Sequence, residues 1–293
     1  MIRWRRERIA FAISGGGARG AIQVGMLKAL LEQGIRPDFI VGTSVGAWNG
    51  GWLAQGASVE RIEQLARVWR NVNSRTLNVI WWRAARNLVR RRPFLYEGDG
   101  MTRLIAANIT RQTFKDLDIP FHAVTIDLTD GRKAVFSSGP LAPAVLASSA
   151  IPGMFPPVII DGHQYVDGGG VDPTGLETAV ELGAKKVYVL NCGYSGRLSA
   201  PLRSMNTIMD HAFQVAAQHR IESTVRDLAR YAEIIHLRPN AGFLKHSMDF
   251  TLTEQYLEAG YRHVWETLGG NRRGRRVAGV SPAAVAAPAP ATA

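Results

Sequence analysis

This chain has almost no cysteine, no long apolar run and fewer acidic than basic residues. Cys192 is the single cysteine among 293 residues, which excludes an intramolecular disulfide and gives no sign of a metal site. No run approaches the roughly 18 consecutive apolar residues of a membrane-spanning helix. The apolar stretch after the arginine-rich start covers only Ile9 to Ile13, which is too short for the hydrophobic core of a signal peptide. These absences predict a cytoplasmic, globular protein.

The basic excess is concentrated in a few places. The chain has 35 Lys and Arg against 24 Asp and Glu, a net charge of +11, and arginine clusters at 1–9, 75–92 and 272–276. Such clusters suit an anionic surface, either a membrane or a nucleic acid. Since no zinc-finger spacing or RNA-binding signature accompanies them, we expect peripheral contact with anionic membrane and no nucleic-acid partner.

Short apolar strands alternate with helical patterns along most of the chain. This alternation predicts an α/β fold with a mainly parallel central sheet. Strands are predicted at 9–13, 39–41, 121–128, 133–137, 158–160, 164–166, 187–190 and 233–237, and helices at 21–31, 45–53, 58–69, 205–231 and 252–268. Asp130-Gly131 and Asp161-Gly162 are typical of hairpin turns. One folded domain is expected over 1–270, followed by a disordered tail at 271–293 that is rich in Arg and then in Ala and Pro.

A glycine-rich turn follows the first predicted strand. It precedes a predicted helix and has the sequence Ser14-Gly15-Gly16-Gly17-Ala18-Arg19-Gly20. The Gly-x-Gly-x-x-Gly spacing also fits a dinucleotide-binding fingerprint. That function requires an acidic residue at the end of the second strand, where this chain has Val41-Gly42-Thr43-Ser44. Nucleotide binding is therefore disfavoured.

A second turn, Gly42-Thr43-Ser44-Val45-Gly46, follows the next predicted strand. A serine between two glycines at a strand-to-helix turn is typical of an exposed nucleophile, and a helix N-cap is the alternative. In both turns the carboxyl end of a strand meets a helix N-terminus, whose unsatisfied N–H groups favour negative charge. Together the turns indicate acyl transfer, with Ser44 as nucleophile and the bare amides of Gly15, Gly16 and Gly17 as an oxyanion hole.

A serine nucleophile needs a base. All seven histidines lie in predicted strands, hairpins or helices rather than in glycine-framed loops. Asp167 follows a predicted hairpin strand and precedes Gly168-Gly169-Gly170, so it offers a carboxylate at a strand end. The residues alone leave two interpretations open, a general base or an aspartate that forms a turn.

Four sequence blocks resemble the patatin-like phospholipase family in order and approximate spacing. They are Gly-Gly-Gly-Ala-Arg-Gly at 15–20, Gly-Thr-Ser-Val-Gly at 42–46, Ala-Ser-Ser-Ala-Ile-Pro-Gly-Met-Phe-Pro-Pro-Val at 147–158 and Asp-Gly-Gly at 167–169. The resemblance covers roughly residues 9–195 and continues more weakly to about 268. It implies a three-layer α/β/α fold with a catalytic domain over 1–270, and hydrolysis of lipid acyl esters without a metal or cofactor.

The resemblance also assigns roles to residues. It implies a dyad of Ser44 as nucleophile and Asp167 as base, an oxyanion hole at Gly15 to Gly17, and supporting positions at Gly42, Gly46, Gly168 and Gly169. Arg19 matches the family's arginine, for which a structural salt bridge is the alternative. Many members have Asn-Pro where this chain has Asp172-Pro173, so a second carboxylate could raise the pKa of Asp167 or compete with it. Because an ordinary aspartate is a weak base, we expect Asp167 in a water-poor pocket that raises its pKa.

The basic aromatic segment 75–97 is expected to form a cap or lid. Leu77, Ile80, Trp81, Ala84 and Leu88 recur at helical spacing, arginines 83, 86 and 90 fall on another face, and Pro93 ends the pattern. Tryptophan opposite arginine suits a helix that lies in a membrane interface. The alternatives are a surface helix packed on the main sheet and a lid over Ser44.

These patterns predict a serine lipid acyl hydrolase of the phospholipase A or lysophospholipase type. Its expected substrates are phospholipids or lysophospholipids, and its expected location is the cytoplasm with peripheral membrane contact. The alternatives are a lipid acyltransferase that uses the same acyl-serine and a lipid-binding regulator without catalysis. Head-group preference, acyl position and oligomeric state depend on pocket and surface shape, which the sequence alone does not define.

Overall fold

The central strands are apolar on both faces, so the sheet needs helices on each side. In β1 (Ile9–Ile13), Phe11 and Ile13 enter one buried apolar cluster, whereas Ala10 and Ala12 enter a second. Side chains alternate across a strand, so the two clusters lie on opposite faces of the sheet. The computed structural model describes residues 7–193, 201–239 and 247–269, and it has the three-layer α/β/α architecture that the family resemblance implies.

Eight strands form one mixed sheet within these residues. After β1 they are β2 (Phe39–Thr43), β3 (Phe121–Asp127), β4 (Arg132–Phe136), β5 (Val158–Ile160), β6 (His163–Asp167), β7 (Lys186–Leu190) and β8 (Glu233–Leu237). The order is β5-β6-β3-β2-β1-β7-β8, and β4 also pairs with β3. Strands β3, β2, β1, β7 and β8 are parallel, whereas β4, β5 and β6 join through antiparallel pairs. The mainly parallel sheet and both Asp-Gly hairpins are confirmed.

Nine α-helices form the outer layers of the described chain. They are α1 (Gly20–Glu32), α2 (Val45–Ala54), α3 (Val59–Asn71), α4 (Trp81–Val89), α5 (Asp99–Asn108), α6 (Leu141–Ser148), α7 (Leu176–Glu181), α8 (Met205–Leu228) and α9 (Thr253–Leu268). Side chains of α1, α2, α3 and α9 form the larger apolar cluster, and α7 with the end of α8 packs on the other face. The Ser58 N-cap of α3 is confirmed, since its side chain accepts from the Arg61 amide. Helices α5, α6 and α7 are absent from the sequence prediction; α6 is apolar on nearly all sides and has no periodicity, and α7 spans only six residues.

The segment 75–97 begins its helix later than the pattern from Leu77 predicts. Asn78 has a φ of 57°, a left-handed conformation that interrupts a helix, and its side chain donates to the Asp99 carboxylate at 2.8 and 2.9 Å. Helix α4 therefore starts at Trp81. No helix of the described residues has the length and hydropathy needed to cross a membrane. The predicted disordered tail at 271–293 lies outside the described residues.

The topology brings the predicted site residues to one edge of the sheet. Because β1 and β2 are adjacent and parallel, both glycine-rich turns leave the sheet at the same edge. In the register of β3, Thr43 lies opposite Val124 and Asp167 lies opposite the next residue, Thr125. Asp167 at the end of β6 is thereby placed beside Ser44, the first residue after β2.

Candidate active site

Ser44 lies at a sharp turn between β2 and α2 with a rare backbone conformation. Its φ is 59° and its ψ −129°, and the residue is 7% exposed. A methyl group at Gly42 would overlap the Gly46 carbonyl, and one at Gly46 would overlap the Ile13 carbonyl. A rare backbone conformation like that of Ser44 costs about 1–3 kcal/mol and persists only where the surrounding structure imposes it. The two glycines therefore allow the turn, and the neighbouring backbone enforces it.

Hydroxyl groups at the end of α6 hold this turn. The Ser44 N–H donates to Ser148 Oγ (2.9 Å), which in turn donates to the Val124 carbonyl on β3 (2.6 Å). Ser149 Oγ donates to the Val145 carbonyl of its own helix at 2.9 Å and lies 3.3 Å from the Ser44 carbonyl oxygen. Sequence reasoning missed both serines as site residues. The available signal was their position as paired hydroxyl residues inside a motif block to which no role was assigned.

Asp167 is buried beside Ser44 and has a perturbed carboxyl. It ends β6, is 8% exposed and accepts from the Gly169 amide at 2.8 Å. Desolvation raises its pKa from 3.8 to about 6, while hydrogen bonds from the Ser44 side chain and the Gly169 amide act in the opposite direction. A methyl group at Gly168 would lie 2.5 Å from the Val124 carbonyl oxygen, so glycine is needed there. The structure brings Ser44 and Asp167 together in the desolvated setting that the sequence predicts.

The three amides of the first glycine turn differ in their contacts. The Gly15 N–H donates to the Pro173 carbonyl at 3.0 Å and is engaged in the fold. Among the residues that the structure describes, the N–H groups of Gly16 and Gly17 have no acceptor. Gly17 lines the same pocket as Ser44, and a methyl group at Gly15 would lie 3.1 Å from Ser44 Cβ. The Gly15 amide is therefore engaged within the fold, whereas the amides of Gly16 and Gly17 remain candidates for the predicted oxyanion hole.

Arg19 supports the glycine turn from a buried position. Its Nε donates to the Gly16 carbonyl (3.1 Å), and its Nη1 donates to Gln214 Oε1 on α8 (2.5 Å). The same helix holds Ser247, whose Oγ donates to Asp210 Oδ1 at 2.6 Å. The Ser247 carbonyl accepts from the backbone of the glycine turn at 2.6 Å. Helix α8 therefore supports the turn in two ways. Gln214 accepts from Arg19, and Asp210 binds Ser247, whose carbonyl accepts from the Ala18 amide.

The Asp172 carboxylate is held by Thr178 of α7. Its Oδ2 accepts from the Thr178 amide (2.9 Å) and hydroxyl (2.8 Å), and its backbone carbonyl accepts from Thr43 Oγ1 (2.8 Å). Burial raises the pKa of Asp172. The raised pKa of Asp167 has desolvation as its first cause, so competition from a second carboxylate is not needed to explain it.

An apolar pocket begins at Ser44. It encloses about 550 Å³ of space, part of which is open to solvent. Apart from Gly17, Ser44 and Ser149, its lining residues are hydrophobic: Val45, Trp48, Trp69, Val72, Leu77, Met101, Leu104, Ile105, Ile151, Phe155, Met248 and Phe250. No charged side chain and no histidine belongs to the described lining. Sequence patterns did not identify this pocket, because its walls come from α2, α3, α5 and segments distant in sequence.

One group in the described chain has the composition of a metal site. It consists of Asp127, Asp130 and His163, whose ligand atoms lie within 4.8 Å of one another. Asp127 already accepts from the Thr129 and Asp130 amides and contacts His163 Nδ1 at 2.9 Å. Asp130 pairs with Arg132 at 3.0 Å. These contacts explain the cluster as part of the hairpin structure, and none of its members lines the Ser44 pocket.

The basic aromatic segment presents apolar side chains to solvent. Trp81 and Val89 of α4 are 80% and 83% exposed, and Leu88 is also exposed. Leu77, just before the helix, lines the Ser44 pocket. The exposed side of α4 is therefore not packed on the main sheet, and the segment borders the site.

Most of the chain is similar to known proteins. The family model for patatin-like phospholipase matches residues 11–180. Patatin-like phospholipase domain-containing protein 6 of Mus musculus is 30% identical over 291 residues, covering 91% of this chain and 21% of that protein. Lysophospholipase NTE1 of Mycosarcoma maydis is 31% identical over 185 residues, covering 63% of this chain and 10% of that protein. The solved structure of VipD from Legionella pneumophila is 15% identical, with a TM-score of 0.46, and covers 91% of this chain and 67% of that one. The chain spans about a fifth, or less, of the length of the curated relatives it matches.

Proposed function

Because the chain belongs to the patatin-like phospholipase family, we propose that it is a serine hydrolase of lipid acyl esters, of the phospholipase A or lysophospholipase type. One observation carries this proposal. The Ser44 side chain contacts the desolvated carboxyl of Asp167, beside an apolar pocket that Ser44 lines. A nucleophile, a base of raised pKa and an acyl-sized apolar pocket are the parts that ester hydrolysis requires.

In the first half-reaction, Ser44 Oγ attacks the ester carbonyl carbon while its proton passes to Asp167. The carbonyl oxygen becomes an oxyanion, which the amides of Gly16 and Gly17 stabilise. One such donor is worth about 3 kcal/mol in the transition state. Collapse breaks the bond to the alcohol oxygen, which takes the proton from Asp167 and leaves. The acyl group remains on Ser44.

In the second half-reaction, water replaces the alcohol. Asp167 accepts a proton from water as the water oxygen attacks the acyl carbon, and the same amides stabilise the second oxyanion. Collapse breaks the bond to Ser44 Oγ, which recovers a proton from Asp167, and the fatty acid departs. The pKa of about 6 at Asp167 suits both steps, since a general base works best when its pKa is near the working pH.

The pocket lining supports a substrate with a long acyl chain. Each buried methylene contributes about 0.8 kcal/mol, whereas a charged head group would lose hydration without compensation in this lining. The acyl chain therefore occupies the pocket, and the head group stays outside it. Similarity to Lysophospholipase NTE1 supports lysophospholipid as the first substrate to test.

Helix α4 supports peripheral contact with anionic membrane. Its exposed Trp81, Leu88 and Val89 suit insertion among lipid head groups, and basic residues near an anionic surface contribute about 1 kcal/mol each. Replacing the arginines at 90, 91 and 92 with alanine should weaken sedimentation with anionic liposomes. Unchanged binding would remove the membrane role of this segment and leave a lid or a surface helix.

The hydrolase proposal is tested by lipid product analysis. Purified protein incubated with lysophospholipid or diacyl phospholipid should release fatty acid, measured by mass spectrometry. Ser44→Ala should abolish release, whereas Ser223→Ala on α8, outside the pocket lining, should not change it. Transfer of the acyl group to a second lipid would identify an acyltransferase instead. A folded wild-type protein that releases no fatty acid and takes no fluorophosphonate label at Ser44 would contradict catalysis and favour a lipid-binding protein.

A further inference from the structure

Two buried side-chain amides lie behind the glycine turn. Gln23 of α1 and Asn49 of α2 are both 0% exposed. Gln23 Nε2 donates to the Ser14 carbonyl at 2.6 Å, and Asn49 Nδ2 donates to Gln23 Oε1 at 2.8 Å and to the Gly20 carbonyl at 3.0 Å. Asn49 Oδ1 accepts from Trp69 Nε1 at 3.0 Å. These five side-chain and backbone groups form one continuous buried network of hydrogen bonds.

The orientation of both amides is determined by the ends of this chain. The indole N–H of Trp69 can only donate, so the oxygen of Asn49 must face it and the nitrogen must face Gln23. The Ser14 carbonyl can only accept, so the nitrogen of Gln23 must face it and the oxygen must face Asn49. These two requirements agree. A single arrangement therefore satisfies every group, which makes the network rigid.

The network connects the parts of the site that must be aligned. Ser14 and Gly20 flank the turn that carries the amides of Gly16 and Gly17. Asn49 belongs to α2, the helix that starts immediately after Ser44, and Trp69 lines the acyl pocket. Buried amides are costly unless every polar atom is satisfied, and the surrounding cluster is otherwise apolar. Packing alone does not call for polar side chains at these two positions.

We propose that Gln23 and Asn49 are positioning residues that set the distance between the oxyanion amides and Ser44. They do so by tying both ends of the glycine turn to the nucleophile helix and to the pocket wall. The expected effect on kcat depends on the proposed hydrolase function. The alignment of the glycine turn with Ser44 does not, because it is a property of the fold.

Replacing Gln23 tests this role. Gln23→Met keeps the length of the side chain and removes both polar groups, which releases the Ser14 carbonyl and Asn49. Since small misplacements in an active site cost up to about 100-fold, kcat for lysophospholipid should fall about 10- to 100-fold with KM unchanged. Asn49→Leu should do the same, and the double variant should lose less than the product of the two effects because both act through one network. Leu30→Ala, a core change on the same helix, should lower stability without lowering kcat of the folded enzyme.

A second measurement does not depend on activity. In ¹⁵N–¹H spectra, Gln23→Met should shift the signals of the Gly16 and Gly17 amides and the Trp69 indole, and should speed the hydrogen exchange of that indole. Unchanged signals, or a kcat equal to that of the wild type, would overturn the positioning role. If the wild type hydrolyses no lipid, the proposed function fails, and the spectra still decide whether these residues align the turn.

Discussion

Replacing Asp167 with asparagine should stabilise the fold while abolishing hydrolysis. Desolvation raises the pKa of Asp167 from 3.8 to about 6, so ionisation is less favourable in the folded than in the unfolded chain. For a carboxyl whose folded pKa is raised, stability is lost as pH rises through the interval from about 4 to about 6. At roughly 1.4 kcal/mol per pH unit, the charge costs the folded protein about 3 kcal/mol at pH 8. A neutral asparagine can keep the hydrogen bond from the Gly169 amide without this cost.

Urea unfolding at two pH values measures this effect. At pH 8, Asp167→Asn should be up to about 3 kcal/mol more stable than the wild type, with an unchanged m-value. At pH 5 the advantage should fall to about half, because the wild-type carboxyl is then protonated in the folded state and less so in the unfolded chain. Hydrolysis by the wild type should fall about tenfold per pH unit below pH 6, since the base must be ionised.

The control is Asp116, an aspartate whose pKa is lowered in the folded protein rather than raised. Hydrogen bonds from the Thr113 side chain and amide lower the pKa of Asp116, so its charge favours the folded state and Asp116→Asn should not stabilise the protein at pH 8. An Asp167→Asn variant with no gain at pH 8, or with a gain that does not shrink at pH 5, would refute the argument. An acidic limb of the rate profile that disappears on replacement of a histidine would refute the assignment of the base.

Four further outcomes are expected. Ser44→Gly should be about 1–2 kcal/mol more stable than Ser44→Ala in thermal melts, because glycine adopts the observed φ without strain. Gly46→Ala should cost more than about 2 kcal/mol by urea unfolding, since the added methyl group would overlap a β1 carbonyl; Gly269→Ala, whose methyl group would meet Trp265 at an ordinary contact distance of 3.6 Å, should cost less than about 1 kcal/mol. Ser148→Ala should lower stability by about 1–3 kcal/mol, because it leaves the buried N–H of Ser44 unsatisfied, and should lower kcat more than KM. Ile105→Trp should fill the pocket and shift the substrate profile toward shorter acyl chains, as competition between chain lengths would reveal.

The local parts of the site could be predicted because they depend on neighbouring residues. A strand, a glycine and a serine suffice to predict a strained turn at Ser44, since only glycine tolerates such close backbone contacts. The sheet and most helices follow from hydrophobic periodicity, which reports burial directly. Helices α5, α6 and α7 were not predicted; α6 has no such periodicity and α7 is only six residues long. The positive φ of Asn78 interrupts the helical pattern from Leu77, because a tertiary contact there overrides the local pattern.

The supporting contacts could not be predicted, because they join residues distant along the chain. Nothing near Gly15 shows that its amide donates to Pro173, and nothing near Ser148 shows that it holds the Ser44 turn. The alignment by Gln23 and Asn49 likewise depends on how α1 packs beside α2. Polar residues in these positions look ordinary in a sequence and become informative only when their burial is known.

The amino-acid sequence by itself determined the alternation of strands and helices, the two glycine turns and the candidates Ser44 and Asp167, since these depend on short-range sterics and periodicity. The tertiary structure alone decided that β3 sets the two candidates side by side, that desolvation raises the pKa of Asp167, and that helices from separate parts of the chain enclose an apolar pocket. Strand register, side-chain burial and pocket shape depend on contacts between segments that are distant in sequence, so no local sequence pattern predicts them.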